Sequence, residues 1–232
     1  LVTDPNQIRD LLGAPATITP EQGTVAKTIG GVDRDFKMPQ VWKTSVAVDY
    51  QVPVSFPLTL TAEFIYTKKI NDVMLDNYNI KNNTSEWEHL NGADNRLIYP
   101  KDFTYYSNIN DACVLTNTHK GHGYTSNITA TAEPIKNLNV MAAYTHTVMK
   151  EISGMPGSNA SSAWSGLYTV NGPNFPTLQN SAYVIPDRLI ASVSYKYAKE
   201  HFSLFYTGYS PAGYSFFYNG SVNGDGITND LM

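Results

Sequence analysis

The sequence predicts an all-β fold made of long antiparallel strands, and three observations lead to it. Apolar and polar residues alternate with period two over stretches of about ten residues, whereas strands of soluble proteins are usually ~5–6 residues long. Short turns join these stretches in pairs, and long polar segments separate the pairs. The chain has 16 tyrosines and only 16% charged residues, well below the ~25% of ordinary soluble domains.

Charge and motifs exclude several classes of function. The net charge is −4 and the isoelectric point is about 5.7, so no basic surface predicts nucleic-acid binding. The chain lacks a nucleophile elbow, a P-loop and a dinucleotide fingerprint, and we therefore expect no enzyme activity. Mean hydropathy is −0.28, and no apolar run approaches the ~18 residues of a membrane helix. Barrel strands remain compatible with these values because they are apolar only on alternate residues.

The first predicted hairpin joins strands at residues 41–50 and 58–67. Residues 1–38, rich in Pro, Gly, Thr and Asp, precede it and are expected to form irregular loop. In VWKTSVAVDY an aromatic residue stands at each end of the apolar face, at Trp42 and Tyr50. The connection at 51–57 contains two prolines and is short.

Two further hairpins follow the same pattern. The central one pairs 123–133 with 138–148 around a turn at 134–137, and the third pairs 188–197 with 202–209. Polar segments at 68–120, 150–186 and 210–232 separate the hairpins, and all would lie on one side of the sheet. We expect these segments to be long loops.

This asymmetry indicates an antiparallel transmembrane β-barrel segment in an outer membrane. Such barrels have short periplasmic turns, long extracellular loops, an apolar lipid-facing surface with aromatic girdles, and a polar interior. Polar faces on about six strands need a wet lumen, which suits a barrel of about 22 strands. Six strands cannot close around it, so residues 1–232 are expected to be part of one barrel domain whose other strands lie outside this stretch.

Three segments resemble the barrel of a known family. They are DFKMPQVWKTSVAVDYQVP (35–53), CVLTNTHKGHGYTSNITATAEP (113–134) and PDRLIASVSYKYAKEHFSLFYTGYSPAGYSFFYNG (186–220). They resemble TonB-dependent outer-membrane receptors, in particular the large receptors of Bacteroidota with a carboxypeptidase-regulatory-like N-terminal domain. The resemblance implies a 22-stranded barrel with an N-terminal plug, driven by the TonB complex, that imports a nutrient ligand.

The resemblance also bears on partners and on missing parts. The plug, the TonB box and the final C-terminal strand are not found in this stretch, so the TonB complex would act through N-terminal parts outside it. Outer-membrane lipid, a nutrient ligand of unknown kind and a surface lipoprotein docking on the loops are the other expected partners. No family motif assigns a ligand-binding residue.

Residues 219–230, NGSVNGDGITND, are similar to an oxygen-ligand calcium loop. The candidate ligands are Asn223, Asp225, Asn229 and Asp230. A calcium loop of this kind has a carboxylate at its first position and Glu at its twelfth. Here these positions are occupied by Ser221 and Met232. The alternative is a Gly- and Asn-rich turn without metal, and no other cofactor is expected.

Aromatic residues in the predicted loops are candidates for ligand contact at the external mouth, because exposed aromatics often pack against a partner. The alternative is that they anchor the loops to one another. The candidates are Trp87, Tyr105, Tyr106, Trp164, Phe216, Phe217 and Tyr218.

Two other functions remain open at this point. The chain could belong to a structural or adhesive outer-membrane barrel whose loops bind a surface. It could also be a secreted, soluble β-rich carbohydrate-binding protein, in which case a second sheet would cover the apolar strand faces.

Overall fold

The computed structural model describes residues 27–228 and 230–232, which form a single open β-sheet under a layer of long connections. The predicted all-β class is confirmed, and the sheet has nine strands. Within the described residues, helical structure is limited to one short helix, α1 (Ala160–Ser165), and a 3-10 turn at Thr84–Glu86. The strands are β1 (Thr28–Val32), β2 (Gln40–Gln51), β3 (Leu58–Asn77), β4 (Asp111–Thr118), β5 (His122–Ile135), β6 (Leu138–Glu151), β7 (Gln179–Asn180), β8 (Asp187–Tyr197) and β9 (Glu200–Tyr209).

The three predicted hairpins are present as β2–β3, β5–β6 and β8–β9, and they form one antiparallel sheet. Strand β3 also pairs with β5, and β6 with β8, so the hairpins follow one another across the sheet. The central turn is shorter than predicted: Pro134 and Ile135 belong to β5, and Asn137 adopts a left-handed φ of 69°. Asn tolerates this conformation better than most residues.

The first long loop does not begin at residue 68 as predicted, because β3 extends to Asn77 and has 20 residues in all. Its last part pairs with β4, a strand that the sequence pattern did not reveal. Asp72 lies opposite Thr118 and Lys68 lies opposite His122, so β4 and β5 keep one register with β3. Beyond Lys68, apolar and polar residues no longer alternate, because connections cover this end of the sheet. Asn71, Leu75 and Asn77 are buried there.

The sheet is also not purely antiparallel, which corrects the expectation for the start of the chain. Residues 28–32 form β1, which pairs parallel with β4, whereas residues 1–38 were expected to be loop. The remainder of that prediction, at 1–26, falls outside the described residues. After β1 the chain crosses to β2, and the Lys37 backbone N–H donates to the Asn117 side chain at 2.7 Å.

The three long connections, residues 78–110, 152–186 and 210–232, form a layer at one end of the sheet, here called the loop layer. They share that end because β3, β6 and β9 finish there and their antiparallel partners β4 and β8 start there. The buried hydrophobic cluster belongs to this layer and to the strand ends beneath it. Its members are Leu75, Ile80, Trp87, Leu97, Tyr99, Cys113, Ala163 and Trp164.

This location of the core leads to a test with the single cysteine. Cys113 is 0% exposed, and burial, followed by the nearby Asp111 and Asp76, raises the pKa of its thiol to about 11. Since the thiolate is the reactive form, we expect N-ethylmaleimide at pH 8 to leave the folded protein unlabelled. Trp164→Ala removes a ring from the same cluster and should make labelling measurable by mass spectrometry.

Tyr105→Ala is the matched control, because the Tyr105 side chain is exposed outside this cluster. This variant should stay unlabelled. Labelling of the unmodified folded protein at the rate of the urea-unfolded chain would show that the loop layer has no such core.

Candidate functional site

Two surfaces are candidates for function: one face of the sheet and a cavity in the loop layer. The register places residues from successive strands on the same face, as in the row Val48, Ala62, Ile128, Tyr144 and Leu189. Paired residues of neighbouring strands point to the same side of a sheet. The face that contains this row is here called the apolar face.

The apolar face is the more exposed side of the sheet. Val46 is 61% exposed, Ile128 60% and Leu204 72%, although side chains of this kind are usually buried. Its large apolar and aromatic side chains include Trp42, Val46, Val48, Tyr50, Leu58, Leu60, Phe64, Tyr66, Tyr124, Ile128, Leu138, Val140, Tyr144, Val148, Leu189, Val193, Tyr195, Tyr197, Phe202, Leu204 and Tyr206.

The opposite face, here called the polar face, carries hydroxyl, amide and carboxylate groups that bind one another. Thr61 donates to Asp49 at 2.5 Å, and Thr145 donates to Asn127 at 3.1 Å. Ser194 and Ser203 share a hydrogen bond of 3.0 Å. Aliphatic and aromatic exceptions also lie here: Ala47, Ile65, Met141, Ala143, Ile190 and Phe205.

In the middle of β3 the burial of the two faces is the reverse of that in a water-soluble sheet, whereas both faces of β2 are exposed. Along β3, Leu60, Ala62 and Phe64 are exposed, whereas the intervening Thr61 and Glu63 are half-buried. An apolar side chain left in water forgoes about 1.5–3 kcal/mol of burial free energy. The apolar face therefore requires an apolar environment that the described residues do not supply.

Aromatic rings stand towards both ends of the apolar face. Near the loop layer, Trp42 meets Tyr66 edge to face at 6.3 Å between centroids, and Phe64 stacks on Tyr124 at 5.9 Å. Near the short turns, Tyr195 stacks on Tyr197 at 6.5 Å. Rings with one polar edge suit the two boundaries between an apolar layer and water.

The predicted loop aromatics separate into two groups. Trp87 and Trp164 are buried in the core of the loop layer, where they anchor connections to one another. The Trp87 ring lies 4.8 Å from that of Tyr99, and the Trp164 indole N–H donates to Asn174 at 2.7 Å. Their burial agrees with the alternative that these rings anchor the loops, and ligand contact by them stays a prediction.

The other five predicted aromatics lie nearer the surface. Tyr105, Tyr106, Phe216 and Phe217 are exposed, and Tyr218 is half-buried. The Arg96 guanidinium lies 4.9 Å above the Tyr218 ring, and Phe217 stacks on Tyr168 at 5.0 Å. Ligand contact by these five remains a prediction.

The predicted calcium residues are brought together, but their polar atoms bind other parts of the same loop. Asp230 accepts a 2.6 Å hydrogen bond from the Val222 backbone N–H, and Asp225 accepts one of 2.7 Å from that of Ile227. Asn223 donates to Asp225 at 3.3 Å. Asn229 lies outside the described residues.

The charges of this loop are unusually buried. Burial, and after it the nearby Asp230, raises the pKa of Asp225. Burial and both carboxylates also raise the pKa of the Tyr99 hydroxyl, which donates to the Asn171 carbonyl at 2.9 Å. Among the described residues, no three His, Cys, Asp or Glu side chains are grouped as metal ligands. Calcium binding therefore stays a prediction.

A cavity of about 490 Å³ lies between the end of β6 and the loop layer. This volume falls within the ~300–1,000 Å³ of small-molecule sites. Tyr168, Tyr183 and Tyr214 line it together with the polar side chains of Gln179 and Ser215. Tyr183 is 72% and Tyr214 82% exposed, so their rings remain available to a ligand.

Our sequence reasoning did not single out these three tyrosines. Tyr183 and Tyr214 lie in segments 180–186 and 210–215, which are distant in sequence. Folding brings segment 210–215 against the connection between β7 and β8. Their tyrosine content was the only available signal.

None of the helices in 27–228 and 230–232 has the length and apolar character needed to cross a membrane. Comparison of the chain with protein-family models, with curated proteins and with solved structures finds no significant match.

Proposed function

We propose that this chain is a membrane-spanning segment of an outer-membrane β-barrel receptor that binds a nutrient ligand outside the cell and imports it. The observation that carries the proposal is the exposure of the apolar face, with the polar side chains between its residues half-buried in the middle of β3. A bilayer removes the cost of the exposed apolar face, and a wet lumen accommodates the polar face.

Strand length and edges support the same proposal. The paired part of β2 and β3 covers 12 residues of β2, and about 9–11 tilted residues cross a bilayer. The outer edges of β2 and β9 have no partner strand among the described residues. Further strands of a large barrel, of about 22 strands in the resemblance, would pair with these two edges.

The loop layer supports the ligand-binding part of the proposal. Its own hydrophobic core holds the long connections together at one mouth of the barrel, and the cavity opens among exposed tyrosines. Energy for import would come from the TonB complex acting through a plug outside this stretch. A surface lipoprotein would dock on the exposed aromatics, and calcium in 219–230 would be a structural ion.

The first experiment locates the native polypeptide with an antibody against this segment. We expect a band heavier than 25.6 kDa in the outer-membrane fraction that migrates faster when it is not boiled, because folded barrels resist the detergent. A polypeptide confined to the periplasmic or cytoplasmic fraction would contradict the proposal.

A substitution pair tests the face assignment. Ile128 lies on the apolar face and the neighbouring Thr129 on the polar face of the same central strand. Ile128→Arg should lower the free energy of unfolding by about 2–4 kcal/mol, since a charge near the bilayer midplane loses its hydration. Thr129→Arg should have a clearly smaller effect.

The measurement is a urea titration of the intact polypeptide in lipid vesicles. Equal losses for the two arginine variants would refute a lipid-facing role for the apolar face.

A second set of variants tests the cavity. Tyr183→Ala and Tyr214→Ala should each reduce ligand affinity at least tenfold, because central aromatic contacts commonly contribute about 2 kcal/mol to binding. Tyr78→Ala serves as the control, since Tyr78 is an exposed tyrosine of the loop layer that does not line the cavity. Uptake of the radiolabelled nutrient that a gene deletion abolishes provides the assay, and unchanged uptake in both cavity variants would place the ligand elsewhere.

A further inference from the structure

Three basic side chains stand side by side at one boundary of the apolar face. Lys68 on β3 pairs with His122 on β5, which pairs with Lys150 on β6. We call these three residues the basic row. Neighbouring strands lie ~4.8 Å apart, so the row spans roughly 10 Å, and its long lysine side chains can reach a shared ligand.

The basic row lies where the uncharged part of the apolar face ends. On β3 the side chains of this face from Leu58 to Tyr66 carry no charge, and Lys68 is the next one. On β5 no side chain of this face between the turn and Tyr124 is charged, whereas on β6 the titratable His146, which pairs with Asp187, precedes Val148. The aromatic pair Trp42 and Tyr66 stands directly beside this boundary.

The two lysines have no carboxylate partner among the described residues. The Lys68 ammonium donates to the His119 carbonyl at 3.0 Å, which leaves its positive charge uncompensated. By contrast, the adjacent Lys69 points to the polar face and binds both Asp72 at 2.6 Å and Glu151 at 2.9 Å. Lys69 thereby neutralises both acids, and neither of them forms an ion pair with the basic row.

Two acids lie on the same face: Glu200, which is opposite Tyr197 near the short turns, and Asp187, which lies closer to the basic row. Asp187 is opposite His146, and it accepts hydrogen bonds from Tyr144 at 2.6 Å and from His146 at 2.8 Å. It therefore already has two donors and is not the counterion of the lysines.

We propose that the basic row, Lys68, His122 and Lys150, binds the phosphate groups of an anionic lipid in the leaflet that adjoins the loop layer. This inference rests on the proposed membrane-spanning role. An uncompensated cationic row directly above an aromatic boundary matches the position of lipid phosphates, whereas the apolar side chains below match the acyl chains.

The test measures binding of phosphatidic acid to the intact polypeptide in mixed micelles, with phosphatidylcholine as the neutral comparison. Each lysine near a lipid phosphate contributes about fivefold in affinity. The double variant Lys68→Gln/Lys150→Gln should therefore bind phosphatidic acid about 25-fold more weakly. The variant Lys68→Arg/Lys150→Arg should keep the affinity because it keeps the charge.

The control Lys43→Gln/Lys196→Gln makes the same change in net charge on the polar face, where both residues lie by register. It should leave the affinity unchanged. Faster migration of the unboiled protein shows whether each variant has folded. If the glutamine variant does not fold, the affinity of the arginine variant decides the result.

The outcomes separate this inference from the proposed function. If the glutamine variant folds into the barrel and still binds phosphatidic acid as tightly as the unmodified protein, the basic row is not a lipid site and the barrel proposal stands. If both glutamine pairs weaken binding equally, only net charge matters and the inference is wrong. If the unmodified polypeptide does not enter membranes, both proposals fail.

Discussion

The hydrogen-bonded register among β3, β5 and β6 is the constraint on which the rest of this structure depends. Side chains alternate across a sheet with period two, so a shift of one residue would move a whole strand's apolar set to the other side. The observed register keeps Ala62, Ile128 and Tyr144 on one face. It also keeps Glu63, Asn127 and Thr145 on the other.

The same register determines what lies beyond the strands. Because β4 continues the pairing of β5 with β3, the connections at that end emerge above a continuous sheet. They fold there around a core of their own, in which Trp87, Tyr99 and Phe175 make ring contacts. The sheet thus has little hydrophobic core of its own, and the loop layer contains nearly all of it.

Polar contacts connect distant parts of the loop layer. Arg96 is almost completely buried, and its guanidinium donates to Asp94 at 2.8 Å and to the Leu231 carbonyl at 2.6 Å. Asn174 accepts from the Trp164 indole and donates to the Asn77 carbonyl at 2.8 Å. Arg96 thus joins the first connection to the third, and Asn174 joins the second connection to the end of β3.

The three hairpins and their faces could be predicted from the sequence alone, because the period-two pattern in stretches such as LTLTAEFIYT is local information. The extension of β3 to Asn77 and the strand β4 could not, since their alternation is hidden where the loop layer buries both kinds of side chain. The parallel strand β1 could not either, because its five residues, TIGGV, are all exposed and include two glycines. The roles of individual loop residues depended still more on tertiary structure. Trp87 and Tyr105 are both aromatic residues in a polar segment, yet one is buried in the core and the other is exposed. Only the packing of segments far apart in sequence decides which rings are buried, and it alone brings Tyr183 and Tyr214 to one cavity.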